Sequence, residues 1–200
     1  MRKIWIVLPC IFMAIILTAC SLNSKNKAPS EIVWTVKENN ENYIIAEKDW
    51  TNYQEYYYKI FDNSGQELWT NISRELPEIT WLNENNIQVS WGSGNVTQSV
   101  FFDLENRLVS DIFNNCEAVS GHTIAYMTYD YNTAMTYLVI RDMFDLSVLY
   151  QAFSLEDSAS VANPSDLVTA ASFLDNSHLQ VTYLTKEDFQ SKTIVLEFGT

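Results

Sequence analysis

An eleven-residue pattern occurs twice in this chain. Trp81-Leu82-Asn83-Glu84-Asn85-Asn86-Ile87-Gln88-Val89-Ser90-Trp91 runs parallel, without a gap, to Phe173-Leu174-Asp175-Asn176-Ser177-His178-Leu179-Gln180-Val181-Thr182-Tyr183. Residue class agrees at nearly every step: an aromatic-Leu end, a polar turn, then an alternating strand closed by an aromatic. Such self-similarity marks one supersecondary unit used more than once, and it has to be accommodated by any fold assigned to the chain. A further apolar strand follows each copy, Val100-Phe101-Phe102 in one and Ile194-Val195-Leu196 in the other. A looser version appears between them, with Ile124-Ala125-Tyr126-Met127 followed by Tyr137-Leu138-Val139-Ile140.

From Glu31 onward, short β-type runs alternate with turn clusters and no helical period is sustained. About fifteen strands can be counted, and they fall into groups of four. The first group is 31–37, 43–48, 55–62 and 66–71; the second is 78–82, 86–91, 98–103 and 107–113. The third is 115–119, 122–129, 135–142 and 146–153. After a polar loop over 154–166 come 169–174, 178–185 and 192–198, which leaves the last group one strand short. In Ile124–Tyr129 and Tyr137–Ile140 apolar residues take successive positions, hence both faces of a strand, and both faces must be covered. Ile87, Val89 and Trp91 alternate instead with Gln88 and Ser90, the pattern of a strand with one wet face. The two kinds together predict an all-β domain of antiparallel sheets stacked face to face.

The recurrence resembles the blades of a β-propeller of the WD40 or TolB-like kind, where an aromatic, a polar turn and an apolar strand return about every 40 residues. The resemblance covers roughly residues 31–198 and implies four blade-like units in a small or incomplete propeller. No Gly-His or Trp-Asp signature accompanies it, and the turns hold Asn-Glu-Asn-Asn or Asp-Asn-Ser-His. A two-sheet β-sandwich is the architectural alternative.

Arg2 and Lys3 open the chain, an apolar run follows, and Leu17-Thr18-Ala19-Cys20 closes it. These are the parts of a secretory signal peptide. The run Ile4–Ala19 makes roughly 24 Å of helix at about 1.5 Å per residue, short of a hydrocarbon core of about 30 Å. The closing residues resemble the lipobox of bacterial lipoproteins. That resemblance implies removal of residues 1–19, attachment of a diacylglyceryl group to the Cys20 thiol, and a membrane address on the extracytoplasmic side. Ser21–Ser30 then reads as a tether, for which a flexible coil gives a span of about 17 Å. The organisation expected is signal peptide 1–19, tether 20–30 and all-β domain 31–200.

Loss of residues 1–19 takes Arg2 and Lys3 with it and leaves 10 basic against 25 acidic side chains. A surface of that sign repels polyanions, so nucleic acid is excluded as a partner. Of three cysteines, Cys10 departs with the signal peptide and Cys20 carries lipid. Cys116 is left alone, no intramolecular disulfide can form, and stability must come from packing. A lone Cys among Phe113, Ala118 and Val119 reads as a small buried apolar side chain.

Several groups invite a chemical reading, and each has a plainer one. Trp50, Tyr53, Tyr56, Tyr57 and Tyr58 have the broad faces and polar edges of a glycan or peptide platform, or of core and sheet-edge residues. His122 and His178, the only histidines, have no ligand spacing around them for zinc. Asp62-Asn63-Ser64-Gly65 and Asp142–Asp145 crowd oxygen atoms, yet neither extends into a calcium loop; turn chemistry accounts for the first. Gly92-Ser93-Gly94 is not a nucleophile elbow, and with five glycines no phosphate-cradling loop is present. The sequence therefore nominates no catalytic residue, no metal site and no cofactor, and Cys20 as its one modification site. The expected function is binding, by a lipid-anchored domain, of a protein, peptide or cell-wall ligand; the alternative is an envelope hydrolase working with acidic side chains.

Overall fold

A computed structural model of the chain describes residues 34–50, 53–92, 96–133, 135–155, 157–161 and 166–199. The signal peptide, Cys20 and the tether lie outside these. The described chain is all-β, in four antiparallel sheets that each follow chain order. The first holds β1 (Thr35–Asn39), β2 (Tyr43–Trp50), β3 (Tyr53–Phe61) and β4 (Glu67–Ser73). The second holds β5 (Glu78–Trp81), β6 (Asn86–Trp91), β7 (Gln98–Asp103) and two short pieces, β8 (Leu108–Val109) and β9 (Phe113–Asn114). The third holds β10 (Cys116–Ser120), β11 (Thr123–Asp130), β12 (Met135–Asp142) and β13 (Leu149–Ser154), and the fourth β14 (Val168–Phe173), β15 (His178–Leu184) and β16 (Ser191–Glu197).

The strand expected over 107–113 is broken in two. Ser110 is the cause: its Oγ accepts from Phe101 N at 2.9 Å and donates to the Asp111 carbonyl at 2.7 Å. A side chain thus takes a backbone place in the ladder, which is the competition expected of serine. Both pieces still pair with β7, so the sheet keeps four strand positions.

Three apolar clusters hold the sheets face to face. Ile45, Tyr58 and Ile60 of the first sheet pack on Ile87, Val89, Val100 and Phe102 of the second. Phe101 and Phe113 pack on Ile124 and Met143, joining second to third. Ala125, Met127, Leu138 and Ile140 meet Leu179, Val181 and Tyr183, joining third to fourth. The third sheet is therefore covered on both faces, which is why its strands carry apolar residues at successive positions. Among the described residues no such cluster joins the fourth sheet to the first. The outward side of the fourth carries polar groups, with Thr182 Oγ1 and Thr193 Oγ1 hydrogen-bonded across the strands at 2.9 Å.

Two expectations need correction. Gln88 and Ser90 do not face solvent: the Gln88 amide donates to Ser90 Oγ (3.0 Å) and Ser99 Oγ (2.9 Å), a half-buried polar cluster on the side toward the third sheet. The repeat also predicts equivalent burial of Trp81 and Phe173. Their backbones are equivalent, since Trp81 pairs with Ile87 and Phe173 with Leu179, and three further pairs match at the same offset. Their surroundings are not. Phe173 sits in the third–fourth cluster with Ala118 of β10, and its ring centroid is 5.7 Å from that of Phe198. Trp81, on the same face of β5 as Ile79, joins no apolar cluster, and 41% of it remains accessible. Packing between sheets, and not register, decides burial.

Turns at one end of the sheets follow a single design. Asn40, Asn83 and Asp175 each accept at the side-chain oxygen from the backbone N–H two residues on (2.8, 2.9 and 2.7 Å). Asp62, Asp103 and Asp142 close the third strand of the first three sheets in the same manner, accepting from Ser64, Glu105 and Phe144 N (2.9, 3.1 and 2.8 Å). These are Asx turns, which Asn and Asp favour because the short side chain imitates a backbone acceptor.

Candidate functional site

The opposite end of the sheets carries an opening between the first and second. Ser73 ends β4, Trp91 ends β6 and Gln98 begins β7, so three strand ends meet around a cleft of about 300 Å³ lined also by Arg74, Glu75, Gly92 and Val96. Its floor is Trp91, half-buried, with its ring centroid 6.2 Å from that of Tyr58 in the core below. The indole is fixed at its edge: Nε1 donates to Gln98 Oε1 at 2.9 Å, and the Gln98 amide donates onward to Asn114 at 3.3 Å. Glu75 closes one wall by accepting from Gly92 N at 3.0 Å. Gly92 has φ +149°, and a Cβ there would lie 2.2 Å from the Val96 carbonyl oxygen, so only glycine fits at this position.

Arg74 stands exposed at the rim. The other described basic side chains are engaged: Lys37 with Glu47, Lys59 with Glu67, Arg107 with Asp62, Lys192 with Asp157, and Arg141 with the Leu146 carbonyl. Lys48 and Lys186 also have interactions. Among the described residues Arg74 is thus the one Lys or Arg whose charge meets no partner. In a chain with 25 acidic side chains that is unusual, and it leaves a guanidinium fork free beside an aromatic floor. The chemistry on offer is recognition of an anion joined to something apolar.

A second, smaller cleft of about 210 Å³ opens between the second and third sheets, lined by Asp111, Ile112, Tyr126, Thr128 and Arg141 among others. Each cleft contains one carboxylate, whereas glycoside hydrolysis of the usual kind needs two flanking the scissile bond.

The residues nominated from sequence fall elsewhere. Among the described side chains, which do not include that of Trp50, the nominated aromatics form no common platform: Tyr57 and Tyr58 are buried on opposite faces of β3, Tyr56 packs beside Tyr58, and of these tyrosines Tyr53 alone is well exposed at 66%. Trp34 stacks on Tyr57 at 5.4 Å. Burial, aided by the neighbouring Glu55, pushes the Tyr57 hydroxyl up to about 12. His122 Nε2 meets Asp103 Oδ2 at 3.2 Å, joining the third sheet to the second. His178 lies in its turn with Ser177 and Asp175, and both reach the same atom, Nδ1, at 3.0 and 2.9 Å. A proton relay needs serine and aspartate on opposite nitrogens of the ring, so these three residues cap a turn. Asp62 and Asp142 spend their oxygens on turn N–H groups; no cluster of three metal-ligating residues occurs among those described. Ser93 and Gly94 lie outside the described residues, while Gly92 shapes the cleft.

Burial, reinforced by Glu117, pushes the Cys116 thiol up to about 12, far from the thiolate form a nucleophile needs. Burial also pushes the Glu117 carboxyl up to about 7. Glu117 lines neither cleft.

Neither the family models, the curated proteins nor the solved structures contain a match to this chain. Sequence reasoning missed Arg74, Glu75 and Trp91 because their grouping joins two strand ends from two sheets. The one local signal was Gly92, examined there only as part of a catalytic motif.

Proposed function

We propose that this is a lipid-anchored extracytoplasmic binding domain, held to the membrane through Cys20 and presenting its sheet ends to a protein, peptide or cell-wall ligand. The observation that carries the binding reading is the unpaired Arg74 beside the fixed indole of Trp91. The indole is fixed at its edge by Gln98 and the exposed guanidinium has no ion-pair partner among the described residues, so the cleft offers an ordered aromatic surface and an available charge. The anchoring half rests on Leu17-Thr18-Ala19-Cys20 and the basic, then apolar, run before it. The described residues contain no helix long and apolar enough to cross a membrane.

The experiment is site-directed photo-cross-linking in intact cells. A probe at Val96, on the cleft wall, is expected to give a discrete adduct that disappears when Arg74→Gln is added. A probe at Thr193, on the polar outer side of the fourth sheet, is expected to give none. Equal labelling from both positions, or a Val96 adduct indifferent to Arg74, contradicts the proposal.

A further inference from the structure

We infer that the cleft between the first and second sheets recognises a free carboxylate carried next to an apolar side chain, as at the C-terminal end of a peptide. This deepens the binding reading and rests on it.

Three features of the site select that chemistry. Arg74 supplies a planar pair of donors that matches a carboxylate, and it has no ion-pair partner among the described residues; the neighbouring Glu75 is turned to Gly92 N, which its Oε2 accepts from at 3.0 Å. Charge selects among anions. With 10 basic against 25 acidic side chains once residues 1–19 are removed, the chain repels a dianionic phosphate more strongly than a single carboxylate, so one guanidinium fits a monoanion. The lining then selects what the carboxylate is attached to. Trp91 offers a ring held by Gln98, and exposed Val96 lines the same cleft. A sugar acid would set hydroxyls against the valine, whereas an aliphatic or aromatic side chain would cover both. The polar groups around the same opening hold it in shape: Gln98 fixes Trp91, Ser73 Oγ accepts from Glu75 N at 3.1 Å, and Gly92 N holds Glu75. At about 300 Å³ the cleft is at the small end of ligand sites and takes one or two residues.

The test is calorimetric titration of the full-length protein, purified from membranes in detergent, with acetylated tripeptides ending in Ala, Leu or Phe. Each is compared with its C-terminal amide and with glucuronic acid. The free acids ending in Leu or Phe are expected to bind at least about tenfold more tightly than their amides, the usual effect of losing a charge-assisted pair. Arg74→Gln should bring acid down to amide while leaving the urea midpoint unchanged, and Trp91→Leu should weaken acid and amide together. Equal binding of acid and amide, no heat from any peptide at millimolar concentration, tighter binding of glucuronic acid, or an Arg74→Gln protein that still prefers the acid would each overturn the inference. Cell fractionation decides anchoring separately, so failure here leaves that half of the proposed function standing.

Discussion

His122 Nε2 lies 3.2 Å from Asp103 Oδ2, and the two residues belong to different sheets. The aspartate is the buried partner, with 4% of its side chain accessible against 43% for the histidine. Burial opposes its ionisation, but hydrogen bonds from Asn106 and the His122 ring prevail and hold the carboxyl below its usual range. Asp62 and Arg107 repeat the arrangement one sheet earlier, at 2.8 Å. In both, a carboxylate ending a third strand meets a nitrogen-bearing side chain from the next sheet along. Asp103→Ala strands the N–H groups of Glu105 and Asn106, and is expected to cost about 1–3 kcal/mol. His122→Gln, at an exposed position, should cost under about 1 kcal/mol. Urea midpoints of the two variants check the asymmetry.

Trp81 and Phe173 share a register and differ in cover, so they should differ in energy. Phe173→Ala is expected to cost about 2–3 kcal/mol, at or below the low end for a fully buried aromatic because the ring is half-buried. Trp81→Ala is expected to cost less than about 1 kcal/mol. Equal losses in chemical denaturation would mean that the matching backbones carry matching packing after all.

How much of this was legible in the sequence depends on the range of the interaction. Period-two alternation and turn residues located the strands, because both act within a few positions. The apolar runs Ile124–Met127 and Leu138–Ile140 also announced a sheet buried on both faces. The burial of Trp81 could not be read, because it depends on packing between sheets, which joins residues far apart in the chain. The Asx turns at Asn40, Asp103 and Asp142 went unread for another reason. Their shared feature is one side-chain oxygen, and the residues around it differ. Arg74 looks like any surface arginine until every other described cation has been paired.

Glu117 gives a pH signature. Its folded carboxyl is raised by burial to about 7, so the folded state holds a proton that the unfolded chain releases near its ordinary value of 4.5. The stability contribution is therefore full below about 4.5 and is lost as pH rises through about 7. Glu117→Gln should remove that loss: the variant gains on the wild type as pH is raised from 4.5 to 8. Thermal melts across that window check it, and a constant difference between the two proteins would assign Glu117 an ordinary, solvated titration.

Gly92→Ala places a methyl group against the Val96 carbonyl and strains a backbone at φ +149°. A cost of roughly 1–3 kcal/mol is expected. Because Gly92 N is also the group that occupies Glu75, the displaced loop should free that carboxylate to pair with Arg74. Binding at the cleft should then weaken by more than the stability loss explains, measured on the folded variant.

The central claim, a binding domain held at the membrane by lipid, is tested most directly by intact-mass measurement of the protein taken from the membrane fraction. The account predicts a chain that begins at Cys20 and carries the mass of a diacylglyceryl group, with or without a further acyl chain. It also predicts that Cys20→Ala abolishes that species and leaves unprocessed or soluble protein. A mature chain with no added mass, or a Cys20→Ala protein that still reaches the membrane at mature size, would contradict it.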